Sequence, residues 1–180
     1  MYKRITMLLL LLIAISCKKE SSDQPAEADM EKLITQESQK VNDFFEKQFN
    51  AYVARNPQMQ TRLGIKDDYD KWNDISSEAK ALELEENKKA LQWLTDSVDV
   101  AKLDEATNMS YRLFKQTLEN NIADYKYKLY KYPVNQMHGM QAEIPAFLIN
   151  MHRIDDVKDA EAYIARLENL EELFNQLITN

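Results

Sequence analysis

Two histidines and a glutamate come closest, among the residues of this sequence, to a metal site. His138 and His152 are 14 positions apart, and Glu143 lies between them. Imidazole and carboxylate groups can together hold iron or zinc in a two-histidine, one-carboxylate arrangement. The spacing matches no local metal motif, because no two histidines four residues apart flank a glutamate. We predict no metal ligand in this chain and interpret the histidines as one solvated residue and one residue packed in a loop.

The segment "YPVNQMHGMQAEIPAFLINMH", residues 132–152, has a low charge for this sequence. It holds one formal charge, whereas 29% of all residues are charged, and two prolines and a glycine interrupt it. Methionines suit an adaptable apolar wall, and side-chain amides offer neutral hydrogen bonds to a ligand. We predict that the segment lies in the interior or lines a cleft. The candidate cleft-lining residues are Asn135, Gln136, His138 and Glu143.

The usual catalytic signatures are missing from the sequence. Glycine occurs only at 64 and 139, which leaves no nucleophile elbow, phosphate-binding loop or dinucleotide fingerprint. The single cysteine forms no CxxC pair. We therefore predict no catalytic residue and no cofactor in this chain.

The acidic stretch "DDYDKWND", residues 67–74, places carboxylates at the alternate positions Asp68 and Asp70. A calcium loop also needs a glycine and a glutamate at its twelfth position, and this stretch has neither. We interpret it as a solvated acidic turn anchored by Tyr69 and Trp72.

The stretch "YKYKLYKY", residues 125–132, alternates aromatic and basic side chains. Such a composition can form a platform for a glycan or a peptide. It also fits the end of a helix, with Tyr125, Leu129 and Tyr132 on the buried face and lysines near the negative end of the helix dipole. We favour the helix.

The first residues, "MYKRITMLLLLLIAISC", indicate export. A basic start, an apolar run and small residues before Cys17 are typical of a signal peptide. A lone cysteine at that place resembles the lipobox of bacterial lipoproteins, which implies acylation of Cys17. We predict a lipoprotein signal peptide at 1–16 and a lipid-anchored flexible tether at 17–30. Lys18, which is not the aspartate that retains some lipoproteins, favours the outer membrane over the inner one.

The chain is acidic, with a formal net charge of −7. Removal of residues 1–16 takes away two basic residues and no acid, which leaves 21 minus 30, or −9. An acidic surface does not attract nucleic acid or anionic lipid headgroups in general. We therefore predict no nucleic-acid partner and a membrane contact made through the lipid on Cys17.

Residues 31–180 are predicted to form an all-α, multi-helix bundle with one irregular segment that contains proline and glycine. Apolar residues recur at intervals of three and four in several stretches, as on the buried face of a helix. The predicted buried residues are Val41, Phe44, Phe45, Phe49, Tyr52 and Val53; Leu84, Leu91, Leu94 and Val98; Tyr111, Phe114, Leu118 and Ile122; and Ala160, Ile164, Leu167, Leu170, Phe174 and Leu177.

Capping residues mark the predicted ends of these helices. Ser76 or Ser77, Asp104, and Asp155 or Asp156 are expected to cap N-termini. Gly64 is expected to end a short helical turn, "PQMQTRL", which Asn56-Pro57 caps. The last helical pattern still continues at Asn180 with no stop signal, so we predict that the domain is the N-terminal part of a larger one.

Three segments together carry a resemblance to a known family. They are "VNDFFEKQFNAYVARNPQMQTRLGI", "YKYPVNQMHGMQAEIPAFL" and "RIDDVKDAEAYIARLENLEELFNQLI". With these, residues 40–178 are similar to the N-terminal portion of the bacterial domain-of-unknown-function family 885. The resemblance implies a mostly helical, exported lipoprotein that is longer than this chain. It also implies a downstream His-Glu-x-x-Pro-Gly-His type motif, which makes family members look like zinc metallopeptidases and which this sequence lacks.

Two functions follow as expectations. In the first, the chain supplies the scaffold and one cleft wall of a lipid-anchored, metallopeptidase-like hydrolase that acts on peptides and holds zinc only in the full-length protein. In the second, the chain is a non-catalytic helical lipoprotein that binds a peptide, glycan or protein partner. The second predicts a stable isolated bundle without a large exposed apolar patch.

Overall fold

A computed structural model describes residues 24–130 and 132–179, and the predicted all-α class is confirmed. Across these two ranges no strand forms, although Val134 and Gly139 make one isolated antiparallel bridge. The predicted signal peptide and Cys17 lie outside the described residues. The helices are α1 Gln24–Ala54, α2 Pro57–Arg62, α3 Ser77–Ser97, α4 Glu105–Asp124, α5 Met140–Asn150, α6 Val157–Glu168 and α7 Leu170–Thr179, with 3₁₀ turns at Val100–Lys102 and Tyr125–Tyr127.

None of these described helices combines the length and the apolar character needed to cross a lipid bilayer. The longest, α1, includes residues 24–30, which the sequence alone assigns to the flexible tether. Residues 24–30 of the predicted flexible tether are therefore helical. The acidic Glu27, in the first turn that the structure describes, suits the positive end of the helix dipole.

The predicted helix caps are confirmed. Ser76 caps α3, where its Oγ accepts a hydrogen bond of 3.1 Å from the backbone N–H of Ala79. Asp104 caps α4 and Asp156 caps α6 in the same way, each accepting from a backbone N–H three residues later. Each cap pairs a backbone donor that the helix itself leaves without a partner.

Gly64 ends α2 as predicted. Its φ of +77° places it in the left-handed region, where a side chain is disfavoured. The N–H of Gly64 donates to the carbonyl of Thr61 at 3.1 Å, and the N–H of Ile65 donates to the carbonyl of Gln60 at 2.8 Å. These two bonds form a Schellman motif, which turns the chain sharply into the acidic loop at 67–74.

One core cluster joins α1, α3 and α4. Leu94, Tyr111 and Leu118 are buried in it, and the ring of Phe44 stacks on Trp93 with centroids 3.9 Å apart. The predicted faces of α3 and α4 thus point inward. On α1, Val41 and Val53 are buried as predicted, whereas the predicted Phe49 and Tyr52 are exposed.

A second core cluster lies among α5, α6, α7 and the acidic loop. Trp72 packs there with Ile144, Phe147, Leu148 and Leu173. Tyr69 and Trp72 are both buried, which confirms that they anchor the acidic turn. The loop therefore contributes to the core of the C-terminal half.

The helix predicted through "YKYKLYKY" is wrong. Helix α4 ends at Asp124, and Tyr125–Tyr127 forms a 3₁₀ turn instead. A 3₁₀ turn has three residues per turn, so the apolar spacing of the α-helix no longer keeps one face inward. Consequently Leu129 and Tyr132, predicted to be buried, are exposed.

The single C-terminal helix is also corrected, because it divides into α6 and α7 at Asn169. Its predicted face is rotated: Ile164, Leu167 and Phe174 are exposed, whereas Arg166 and Leu173 are buried. The spacing of apolar residues does not predict this buried face, because the charged residue Arg166 lies at its centre.

Candidate functional site

An open cleft of about 550 Å³ lies between α3, the end of α4 and the start of α5. Apolar side chains and polar ones share its wall. The apolar side chains in its wall include Leu84, Leu129, Met140 and Leu177. The polar side chains are Lys80, Glu83, Asn87, Asn121, Asp124 and Lys128.

Two amides give the cleft neutral hydrogen-bonding capacity. Asn87 lies on α3 and Asn121 on α4, so they reach the cleft from different helices. Within the part of the chain that the structure describes, neither side chain hydrogen-bonds to another residue. An amide carries donors and an acceptor, as does a peptide group. The cleft can therefore pair with backbone groups of a ligand while it buries apolar side chains.

The four predicted cleft residues do not line this cleft. Three of them, Asn135, Gln136 and His138, lie in the loop between Pro133 and Met140, and those two flanking residues do line it. Gln136, His138 and Glu143 are exposed, and Asn135 is half-buried. The four residues thus stand at or beyond the rim of the cleft, and their contact with a substrate stays a prediction.

Asn135 stabilises the loop between Pro133 and Met140. Its Oδ1 accepts hydrogen bonds from the backbone N–H groups of Met137, at 2.9 Å, and His138, at 2.8 Å. The side chain of Gln141 donates to the carbonyl of Asn135 at 2.6 Å. The loop is therefore a self-bonded turn in which the amide oxygen of Asn135 is already engaged.

Gly139 closes the same loop. Its φ of +135° suits only glycine. A Cβ atom there would lie 2.6 Å from the carbonyl oxygen of Pro133 and 2.9 Å from Cα of Val134. Glycine thus permits the close approach of the two ends of the loop.

The predicted burial of residues 132–152 holds for only part of that segment. In α5, Ile144, Phe147 and Leu148 are buried. Tyr132 and Met137, in the loop, are exposed. The buried part consists of one face of α5 together with Gly139 and His152.

A second polar site, which hydrophobic spacing did not reveal, is centred on Arg166. The side chain is completely buried. Nε donates to the carbonyl of Lys71 at 3.0 Å, Nη1 to Nδ1 of His152 at 2.9 Å, and Nη2 to Oγ1 of Thr61 at 2.8 Å. These bonds link α6 to α2, to the acidic loop and to the end of α5. We call the four residues the Arg166 network.

Aromatic rings surround the guanidinium of Arg166. Its carbon lies 5.3 Å from the ring centroid of Tyr69, 5.6 Å from that of Trp72 and 5.0 Å from that of Phe147. Such rings attract a cation through their electron-rich faces. Burial lowers the pKa of Arg166 to about 10, partly offset by Tyr69 and Asp70. Arg166 therefore remains charged at neutral pH.

His152 is the acceptor for this buried cation. A guanidinium has only donors, so Nδ1 of His152 must be unprotonated and accept from Arg166. Nε2 then carries the proton and donates to the carbonyl of Asp159 at 3.1 Å. Burial, together with the charge of Arg166, lowers the pKa of His152. This confirms the interpretation of the histidines, because His152 is packed and His138 is exposed.

An ion-pair cluster borders the network. Lys66 Nζ contacts Oδ2 of Asp159 at 2.6 Å and Oδ2 of Asp155 at 3.1 Å. The hydrogen bond from Lys66 lowers the pKa of Asp159, and the same bond raises the pKa of Lys66. The pair fixes the start of α6 against the loop that follows α2.

The residues that the structure describes do not form a zinc site. Across 24–130 and 132–179, no three His, Cys, Asp or Glu side chains are grouped so that they could hold a metal ion. Nδ1 of His152 is moreover committed to Arg166. No step of a zinc-dependent reaction is therefore assigned to the described residues.

Comparisons with known proteins identify the family. The model of the family described as "Bacterial protein of unknown function (DUF885)" matches residues 57–180. A search of curated proteins and one of solved structures each found no match. The matched residues include α2 to α7, the cleft and the whole Arg166 network. The resemblance read from the sequence is thus confirmed, and the chain belongs to the DUF885 family of bacterial proteins of unknown function.

Proposed function

We propose that this chain forms the helical scaffold and one wall of a peptide-binding cleft in a lipid-anchored, metallopeptidase-like hydrolase. The open cleft between α3 and α4 carries the proposal. Its polar groups lie among apolar side chains, which is the arrangement that a peptide needs for its backbone and its side chains. Asn87 and Asn121 would pair with the peptide backbone.

The charges of the cleft are nearly balanced. Lys80 and Lys128 face it together with Glu83 and Asp124. Opposite charges in one cleft can orient the two ends of a short zwitterionic ligand or its charged side chains. This composition suits a peptide better than a polyanion such as nucleic acid, since a polyanion would be repelled by the acids.

Exposed apolar side chains on the C-terminal helices support a larger domain. Ile149 on α5, Val157 and Ile164 on α6, and Phe174 and Ile178 on α7 are all exposed. Large exposed apolar patches commonly mark a surface that another domain or protein covers. The alternative, a self-sufficient binding lipoprotein, predicts few such residues. We propose that the remainder of the hydrolase covers these helices.

The proposal places the zinc site in the covering part and not in the described residues. Zinc held there by the His-Glu-x-x-Pro-Gly-His type motif that the family resemblance implies would supply the activation of water for peptide hydrolysis. The chain described here would bind the peptide and orient it. Acylation of Cys17 would hold the protein at the bacterial cell envelope, on the outer membrane.

Hydrolysis by the longer protein tests the proposal. The reading frame is followed beyond Asn180, the extended protein is purified, and a broad peptide library is assayed with and without a chelator. We expect peptide cleavage that stops when the chelator is added and resumes with zinc. A reading frame that stops at Asn180, chelator-insensitive cleavage, or no cleavage at all contradicts the proposal.

A further inference from the structure

A short segment beside the cleft exposes six large apolar side chains within 11 residues. None of the six belongs to either core cluster or packs against it. We call them the tyrosine patch. Its members, with their exposed fractions, are Tyr127 at 49%, Leu129 at 69%, Tyr130 at 78%, Tyr132 at 86%, Val134 at 49% and Met137 at 74%.

The segment that carries the tyrosine patch is basic, whereas the chain as a whole is acidic. The sequence from 125 to 142 contains three lysines and no acidic residue, whereas the full chain has a net charge of −7. Lys126 is exposed, and its Nζ lies 4.8 Å from the ring centroid of Tyr127. The segment is therefore basic and aromatic, and the acidic residues Glu83 and Asp124 lie in the adjoining cleft.

Internal contacts hold the patch in place. The rings of Tyr127 and Tyr130 meet edge to face at 5.8 Å, and Nζ of Lys128 donates to the hydroxyl of Tyr125 at 3.1 Å. The turn at Asn135 and the close approach at Gly139 fix the other end. These contacts hold the described residues of the patch on either side of position 131.

We propose that the tyrosine patch contacts an anionic lipid bilayer. Tyrosine rings prefer the headgroup region of a membrane, where the ring is apolar and the hydroxyl is hydrated. Leu129, Val134 and Met137 would enter beside them, and lysine is attracted to anionic headgroups. The aliphatic members favour lipid over a glycan, because a sugar needs hydrogen-bonding groups between the stacking rings.

The contact would give the cleft a defined position relative to the membrane. Leu129 belongs to the patch and also lines the cleft, and Lys128 and Pro133 line it from the same segment. A patch seated on the bilayer therefore places the cleft next to the membrane surface. The biological setting rests on the proposed location at the envelope, but the lipid contact itself requires neither acylation nor hydrolase activity.

Fluorescence in vesicles tests the contact at one position. The full chain carrying Tyr130→Trp is reconstituted in vesicles that contain anionic lipid, with and without lipids brominated on their acyl chains. Leu113→Trp is the matched control, since Leu113 is 63% exposed but lies in α4, away from the patch. The signal of Trp72 and Trp93, measured in the unsubstituted chain, is subtracted.

We expect blue-shifted emission and quenching by brominated lipid for Tyr130→Trp and neither for Leu113→Trp. Lys126→Glu in the Tyr130→Trp background should lower the equilibrium constant for the lipid contact, obtained from the quenched fraction, at least fivefold, because one lysine near an anionic surface contributes about fivefold in affinity. Met137→Trp replaces Tyr130→Trp if circular dichroism shows that the latter is unfolded. Quenching of both positions alike, or of neither, overturns the inference and leaves the patch as a candidate for a peptide or glycan. The vesicle experiment uses protein whose Cys17 is not acylated. A negative result would therefore contradict the lipid contact alone, and not the proposed lipidation or the proposed hydrolysis.

Discussion

The guanidinium of Arg166 donates a 2.9 Å hydrogen bond to Nδ1 of His152 in the interior of the C-terminal half. The two residues lie on α6 and just after α5, and their bond fixes both the charge of the arginine and the tautomer of the histidine. Buried cations need satisfied hydrogen bonds to remain in place. The Arg166 network is therefore a structural junction whose loss is measurable.

Replacement of Arg166 should lower the free energy of unfolding. Arg166→Leu leaves the carbonyl of Lys71, Nδ1 of His152 and Oγ1 of Thr61 without their donor, and each buried unpaired group costs about 1–3 kcal/mol. We expect the free energy of unfolding to fall by about 3 kcal/mol or more in urea denaturation. Arg153→Leu, the same change at an exposed arginine, should cost less than about 0.5 kcal/mol. Equal losses in both variants would show that the network contributes no special stability.

The stability should depend on pH through His152. Burial and the nearby charge of Arg166 lower the pKa of this histidine in the folded state, whereas its value in the unfolded chain is about 6.5. As the pH falls below about 6.5, the unfolded state takes up a proton that the folded state resists, so the free energy of unfolding decreases. The contribution of His152 is complete above that pH.

Urea midpoints at several pH values between 7 and 5 measure this effect. His152→Asn keeps an acceptor for Arg166 but does not titrate, so its midpoint should fall less over that interval than the midpoint of the unsubstituted protein. His138→Asn, the same substitution at an exposed histidine, serves as the control. Parallel profiles for the protein and for His152→Asn would refute the assignment.

The two glycines should differ in their tolerance of alanine. Gly64 has open space where a Cβ atom would be, so Gly64→Ala should cost only the left-handed backbone, roughly 1–2 kcal/mol. Gly139→Ala adds a contact of 2.6 Å with the carbonyl oxygen of Pro133 and should open the loop between Pro133 and Met140. Hydrogen exchange checks this, with faster exchange of His138 and Met140 amides expected only in Gly139→Ala. Unchanged exchange there would contradict the role of Gly139.

Acylation of Cys17 is testable in bacteria. The unsubstituted chain should incorporate an alkyne-labelled palmitate and fractionate with the outer membrane, whereas Cys17→Ser should lose the label. The serine variant keeps the apolar run of the leader, so any loss of label reports on the thiol alone. Labelling that persists in Cys17→Ser would exclude this site.

Local signals in the sequence were sufficient for the caps and for the class of fold. Ser76, Asp104 and Asp156 cap helices through bonds to residues three positions away, and Gly64 ends α2 through bonds within its own turn. Such interactions depend on neighbouring residues only, so sequence spacing predicts them.

Features that depend on distant contacts could not be predicted in this way. The spacing of apolar residues predicts that Ile164 and Leu167 are buried. Arg166 is buried instead, because its guanidinium donates hydrogen bonds to Lys71, Thr61 and His152. The indole N–H of Trp72 donates to the carbonyl of Arg166 at 2.8 Å, close to the break between α6 and α7. These partners are separated from Arg166 by up to 105 positions in the sequence.

The residues that line the cleft could not be predicted from the sequence for the same reason. Low charge and amides led to Asn135, Gln136, His138 and Glu143, but the cleft is lined by Asn87 and Asn121 from two long helices. Nothing in the local pattern of α3 or α4 distinguishes these two asparagines from the others on the surface. Only the packing of the two helices brings them to one cavity.

The central claim is that the cleft between α3 and α4 binds the peptide. Steady-state hydrolysis by the protein extended beyond Asn180 tests it most directly, with Asn87→Ala/Asn121→Ala compared with the control pair Asn50→Ala/Asn175→Ala outside the cleft. Two lost hydrogen bonds of about 1 kcal/mol each should raise KM about tenfold or more in the cleft variant, with kcat unchanged, and leave the control unaffected. An unchanged KM in the cleft variant, or the same change in both pairs, would contradict the claim.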